Sequence, residues 1–189
     1  MQSIHSFLVK PKGGRRYNNT KTIGDVDFII SISPEDHTVT NREAIVVSVP
    51  VNYEGDVKVG DTILVHHNVF RTYYDMKGRH RSGKSFLKDD LFLVDHDQFY
   101  LYDNGEGWKA PGKYCFIEPV APEHTWLVSS FTEQPLVGKI RYINNELLDM
   151  GLQVGDRISF SPDSEYEFRI NEEKLYRMFT ENITIHWKR

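Results

Sequence analysis

The 189-residue chain has one cysteine, Cys115, so an internal disulfide is impossible and a reducing compartment suffices. No stretch approaches the roughly 20 apolar residues of a membrane-spanning helix. Met1 to Pro11 has no long apolar run with a small-residue cleavage site, so no secretory leader is expected. The formal net charge is -4, without the basic excess of a nucleic-acid-binding domain. These absences point to a cytoplasmic protein with neither a membrane nor a nucleic-acid partner. Zinc-spaced Cys/His clusters are missing, and so is a Gly-x-Ser-x-Gly elbow. His66 and His67 are neighbours, and neighbours in a strand point to opposite faces, which does not suit chelation of one metal. Cys115 sits in an apolar run with no evident histidine partner. The chain is therefore read as non-enzymatic, with no catalytic residue, metal or cofactor.

Aromatic residues are plentiful, with 11 Phe, 10 Tyr and 3 Trp. With many Val, Ile and Thr residues they favour strands, because branched and aromatic side chains suit a pleated surface. Helix signals are sparse. Asn145 to Met150 is long enough for a single turn, and Glu172 to Phe179 is read as strand or turn. Strands are predicted at Ser6–Pro11, Ala44–Val49 and Asp61–Val65. Val69–Met76 and Phe86–Val94 read as a strand pair across a polar loop. Lys12 to Asp27, rich in Gly, Asn, Arg and Thr, offers little to bury and reads as a mobile loop. The apolar run Phe28 to Ile32 follows it.

The pattern then restarts. Tyr114-Cys115-Phe116-Ile117-Glu118-Pro119 echoes Ser6 to Pro11, 108 residues on. Gly138 to Ile143 echoes Ala44 to Val49, and Leu152 to Phe160 echoes Val57 to Val65, at displacements of 94 and 95. Asn182-Ile183-Thr184-Ile185 echoes Asp90-Leu91-Phe92-Leu93, at 92. Four matches in one order indicate two similar domains in tandem, the loop after the first strand being longer in the first copy. The boundaries expected are 1–97 and 112–189, with 98–111 as a linker or connecting hairpin. Gly60 and Gly155 stand where a tight turn into a strand requires positive φ.

The ordered set Phe7-Leu8-Val9-Lys10-Pro11, Arg42-Glu43-Ala44-Ile45-Val46, Val57-Lys58-Val59-Gly60-Asp61-Thr62-Ile63 and Asp90-Leu91-Phe92-Leu93 resembles the GroES-type co-chaperonin (chaperonin-10) family. The resemblance implies an all-β fold of two tandem GroES-like β-barrels. It also implies a ring-forming homo-oligomer that caps a GroEL-type chaperonin ring and assists protein folding. In that family a mobile loop carries the apolar docking segment. Here the matching loop lies at about 12–32, with Phe28, Ile29, Ile30 and Ile32 as the implied chaperonin-binding residues. In the second copy the counterpart loop, Ala121 to Pro135, offers Trp126, Leu127 and Val128. The chain departs from the family in having no Gly-Gly before the docking segment. Its short Glu54–Asp56 connection also leaves no room for a roof hairpin, a shape seen among phage relatives that makes a viral origin plausible. A structural or assembly protein, of a phage or of another source, would use the same barrel without a chaperonin.

Gly78-Arg79-His80-Arg81-Ser82-Gly83-Lys84-Ser85 matches the phosphate-binding loop pattern Gly-x4-Gly-Lys-Ser. That chemistry requires a helix after the loop, and Phe86 to Phe92 reads as strand. A basic, exposed hairpin loop is the favoured reading, with a nucleotide binder as the third functional alternative.

Overall fold

The computed structural model describes residues 1–23, 25–30, 36, 38–122 and 133–187. The fold is all-β and divides into two compact units, Met1–Gly107 and Trp108–Arg189. The strands of the first unit are β1 (Phe7–Pro11), β2 (Thr20–Ile23), β3 (Val26–Ile29), β4 (Glu43–Ser48), β5 (Thr62–Val65), β6 (Thr72–Tyr74), β7 (His80–Ser82), β8 (Phe86–Lys88), β9 (Leu91–Val94) and β10 (Phe99–Asp103). The second unit has β11 (Trp108–Lys109), β12 (Tyr114–Pro119), β13 (Val137–Tyr142), the single helical turn α1 (Asn145–Asp149), β14 (Arg157–Phe160), β15 (Tyr166–Ile170), β16 (Glu173–Phe179) and β17 (Ile183–Trp187). Among the described residues, no helix is long and apolar enough to cross a membrane.

Six strands of the first unit run side by side in the order β10-β5-β4-β1-β9-β8, and those of the second in the order β17-β14-β13-β12-β16-β15. Each strand thus has a counterpart in the same place, and the registers agree. In β1, Pro11 faces Ala44, and in β12, Pro119 faces Gly138. Both first strands shift register against their partners two residues before that proline, between Leu8 and Val9 and between Phe116 and Ile117. A bulge adds a residue to one side of a pair and bends the strand, so its recurrence marks a repeated design of the backbone.

The turn into the third sheet strand is repeated atom for atom. The Gly60 amide donates to the Val46 carbonyl and the Gly155 amide to that of Ile140, both at 2.8 Å. Gly60 and Gly155 have φ of 97° and 89°, a region closed to most L-residues. The Asp61 carboxylate accepts from the Lys58 amide at 2.7 Å, and the Asp156 carboxylate from that of Gln153 at 2.9 Å. The Val-x-Val-Gly-Asp stretch and its Val-Gly-Asp echo are therefore turns stabilised by their own aspartate.

Alternate residues of these strands face one core, while Leu8, Leu64, Leu101 and Phe116 on the opposite faces are buried as well. Phe7, Val9, Ala44, Val46, Ile63, Phe70 and Phe92 lie in the first core, and Cys115, Ile117, Ile140, Leu147, Ile158 and Met178 in the second. Phe92 meets Phe70 edge-on, with ring centroids 4.8 Å apart.

Several expectations are corrected. The stretch 98–111, expected as a linker or connecting hairpin, also belongs to the sheet: β10 pairs with β5, and Phe99, Tyr100, Leu101 and Tyr102 are all buried. The 69–76 and 86–94 stretches do not pair with one another. β6 pairs with β7, and β8 with β9, each through its own tight turn. The fourth sequence match was also out of register. The counterpart of β9 is β16, since β1 pairs with β9 and β12 with β16. The strand matching β17 is β10, since these pair with β14 and β5. Short apolar strands look alike in sequence, and only the hydrogen-bonded neighbours separate them. The helical turn at Asn145 and the strand ending at Phe179 occur where the sequence placed them.

Candidate docking surface

The segment between β1 and β4 is not without structure. It rises from the sheet as a two-stranded ribbon, β2 against β3, with Thr20 facing Ile29 and Ile23 facing Val26. At its base the Arg15 guanidinium donates to the Thr20 hydroxyl, so part of the composition that suggested a loop supports a hairpin. Lys12–Gly14 makes a 3-10 turn in which Gly13 and Gly14 take φ of 73° and 69°. Buried Asn41 closes the neck. Its amide nitrogen donates to the Lys12 and Arg15 carbonyls at 2.9 and 2.8 Å, and its carbonyl oxygen accepts from the Glu43 amide at 2.9 Å. A buried amide with its partners satisfied sets one geometry, because any other would leave polar groups unpaired.

Two side chains fasten the neck to the unit. The Arg16 guanidinium lies 4.8 and 4.9 Å from the ring centres of Phe86 and Phe92, and donates to the Ser82 hydroxyl at 2.8 Å. The Tyr17 hydroxyl accepts from the Thr72 amide at 2.8 Å and is 2.8 Å from the Thr72 hydroxyl. Further out, the Asn19 and Ile30 main chains pair, and the Asn19 side chain adds a bond to the Ile30 carbonyl.

Beyond this neck the ribbon carries apolar residues that the core does not take. Val26, Phe28, Ile29 and Ile30 are 56, 51, 73 and 46% exposed. Phe28 and Ile29 are consecutive in β3 and so point to opposite faces of the ribbon. Phe28, Ile29 and Ile30, singled out in the sequence, lie outside the core and are divided between the two faces of the ribbon. Ile32, Trp126, Leu127 and Val128 lie outside the described residues. Sequence reasoning missed Val26, hidden in a polar stretch, and the fastening residues Arg16, Tyr17 and Asn41. Their partners are tens of residues away, and no local signal reveals them.

In the second unit, the corresponding connection ends in a different clamp. The Tyr176 hydroxyl donates to the Glu133 carboxylate at 2.5 Å, and the Lys174 ammonium donates at 2.8 Å. Burial pushes the Glu133 carboxyl up, but these two donors outweigh it and hold the group below the usual carboxylate range. The Gln134 side chain accepts from Arg157 at 2.8 Å.

The other sequence candidates are placed as follows. Gly78 stands in the β6–β7 turn, and residues 80–82 and 86–88 are strands, so no helix follows the phosphate-loop pattern. Cys115 is fully buried, and burial pushes its thiol up to about 12, so almost no thiolate forms near neutral pH. Among the described residues, no group of three His, Cys, Asp or Glu side chains is placed to hold a metal ion. No protein-family model matches the chain, and no curated protein matches it either.

Proposed function

We propose that the chain is a co-chaperonin-type protein, built of two GroES-like β-barrels in tandem, that docks on a GroEL-type chaperonin ring through Phe28, Ile29, Ile30 and Ile32. The observation that carries this reading is the exposed apolar cluster on a ribbon whose neck is polar, buried and fastened. A strand meant for the core would bury those residues. A docking arm exposes them and holds its base still. The repeated six-strand order and the repeated Val-Gly-Asp turn agree with two copies of one barrel.

Burying one such side chain contributes roughly 1.5–3 kcal/mol before ordering costs. A single ribbon would therefore bind weakly, and a homo-oligomeric ring of ribbons would convert weak contacts into avidity. In the second copy, Trp126, Leu127 and Val128 would supply a further contact.

The test is sedimentation of the purified chain with a chaperonin ring, with and without ATP. ATP-dependent co-sedimentation is expected, and Ile29→Ser with Ile30→Ser is expected to abolish it while leaving the melting transition in place. Co-sedimentation unchanged by the two substitutions would remove the ribbon from the reading.

One observation favours a second reading, a structural or assembly component that binds no chaperonin. The outer strand β17 leaves Ile185 and Trp187 half-exposed, whereas its counterpart β10 is buried along most of its length. An open apolar edge of this kind suits lateral assembly. That reading expects no chaperonin-dependent help to a folding client.

A further inference from the structure

The β6–β7 hairpin is a part of the first unit that the fold itself does not need. The second unit completes the same six-strand order with only residues 161–165 between β14 and β15, where the first has 66–85 between β5 and β8. Residues 72–85 hold Lys77, Arg79, Arg81 and Lys84 against one acid, Asp75, in a chain whose net charge is -4. A concentrated positive arm on an acidic protein is a feature that folding does not explain.

Its geometry keeps the positive charge outward. The Asp75 carboxylate is occupied in building the turn. It accepts from the Lys77 and Arg79 amides, both at 2.9 Å, and from the Nε atoms of Arg79 and Arg81 at 3.0 and 3.4 Å. Lys77 and Lys84 are exposed and take part in no ion pair among the described residues. Tyr73 faces Arg81 and Tyr74 faces His80 across the ribbon, both tyrosines are exposed, and Met76 stands free at the tip.

The hairpin is bonded at its base to the apolar ribbon. Thr72 and Ser82 pair across the hairpin's first rung, and these two residues receive Tyr17 and Arg16 from the ribbon's neck. The two additions of the first unit thus share one root.

We propose that the ribbon and the hairpin form one bipartite docking surface, in which the hairpin recognises an acidic protein surface flanking the groove that receives Phe28 to Ile30. This rests on the docking reading above. Charge complementarity selects the partner: cations with neighbouring tyrosines suit carboxylates at the rim of an apolar site, where they raise the association rate and set orientation.

The test measures affinity for an ATP-loaded chaperonin ring at roughly 50 and 300 mM salt, a range over which exposed charges become screened. The proteins compared are the native chain, K77E/K84E and I29S/I30S. The first pair leaves the Asp75 turn intact, and unchanged melting checks that. Binding by K77E/K84E is expected to weaken at least about tenfold at low salt and to lose most of its salt dependence. Affinity and salt dependence within twofold of the native chain, with I29S/I30S inactive, would overturn the hairpin's role and leave ribbon docking standing. If the native chain binds no ring, docking on a chaperonin fails, and labelled polyglutamate and a single-stranded oligonucleotide become the probes. Salt-sensitive polyglutamate binding lost in K77E/K84E would uphold an acid-recognising arm. Absence of that binding, or a preference for the oligonucleotide, would overturn it.

Discussion

The two units share a strand order, a register and a bulge, yet differ in what grows from the sheet. Between β1 and β4 the first carries the ribbon of β2 and β3, and between β5 and β8 the basic hairpin of β6 and β7. The second spans the corresponding gaps with 120–136 and 161–165, and adds a capped helical turn instead. Backbone pairing and the Val-Gly-Asp turn are thus common property, while among the described residues the apolar ribbon and the basic hairpin belong to the first unit. The difference separates what the sheet requires from what has been added to it.

The comparison can be broken most directly at equivalent core positions. Phe92 faces Val9 as Tyr176 faces Ile117, but Phe92 is fully buried and Tyr176 only partly. Phe92→Ala is expected to cost about 3–5 kcal/mol in denaturant unfolding, and Tyr176→Ala clearly less. Equal losses would mean that the two cores are packed alike at this position.

The helical turn sharpens the contrast. Asn144 is fully buried; its side chain accepts from the Leu147 amide at 3.0 Å and donates to the Thr180 hydroxyl at 2.7 Å. Asn144→Ala removes a cap and takes one of two partners from the buried Thr180 hydroxyl, a loss of about 2 kcal/mol. In the first unit's shorter 49–56 connection no side chain caps a helical turn, and the Asp56 carboxylate accepts from the Tyr102 hydroxyl at 3.4 Å. Val49→Ala in that connection should therefore cost only what its partly buried methyl groups contribute, measured by the same unfolding curves.

The turn glycines test equivalence in the opposite sense. Gly60→Ala and Gly155→Ala each force an alanine into positive φ, and each is expected to cost about 1 kcal/mol. No heavy atom lies within 4 Å of either added Cβ, so strain alone sets the loss. Losses that differ severalfold between the two would show that the matched turns are not energetically alike.

The smallest effect concerns acid. Glu133 has a folded-state carboxyl held below its unfolded value, so its contribution is complete above the ordinary carboxylate range, about 4.3, and disappears as pH falls through the lowered value. Glu133→Gln should lose the whole contribution at neutral pH and least of it in acid, which flattens the acid limb of stability against pH. An unchanged acid limb would show that the Glu133–Lys174–Tyr176 clamp contributes nothing to it.

Much of the common scaffold was legible. Alternation in Ala44–Val49, proline at the end of β1 and β12, the Gly60 and Gly155 turns and the turn at Asn145 are local signals with local causes. The site was legible only in part. Phe28 to Ile32 stood out as apolar, but nothing near it in sequence distinguishes a docking strand from a core strand. The polar Lys12 to Asp27 stretch read as loop because its hydrogen-bond partners, Thr72, Ser82 and Asn41, lie far along the chain. The aromatic run at Phe99 read as linker or connecting hairpin because its partner β5 lies over thirty residues back along the chain.

Side-chain chemistry along the chain was enough to establish strands, turns and the existence of two copies, because period, proline and glycine act over a few residues. Which strands are neighbours, and which apolar residues remain in water, was settled only by long-range pairing. Phe92 and Phe28 are the same residue type in comparable short strands. One is enclosed because β9 lies between β1 and β8 over a packed core, and the other is exposed because β3 has only β2 beside it.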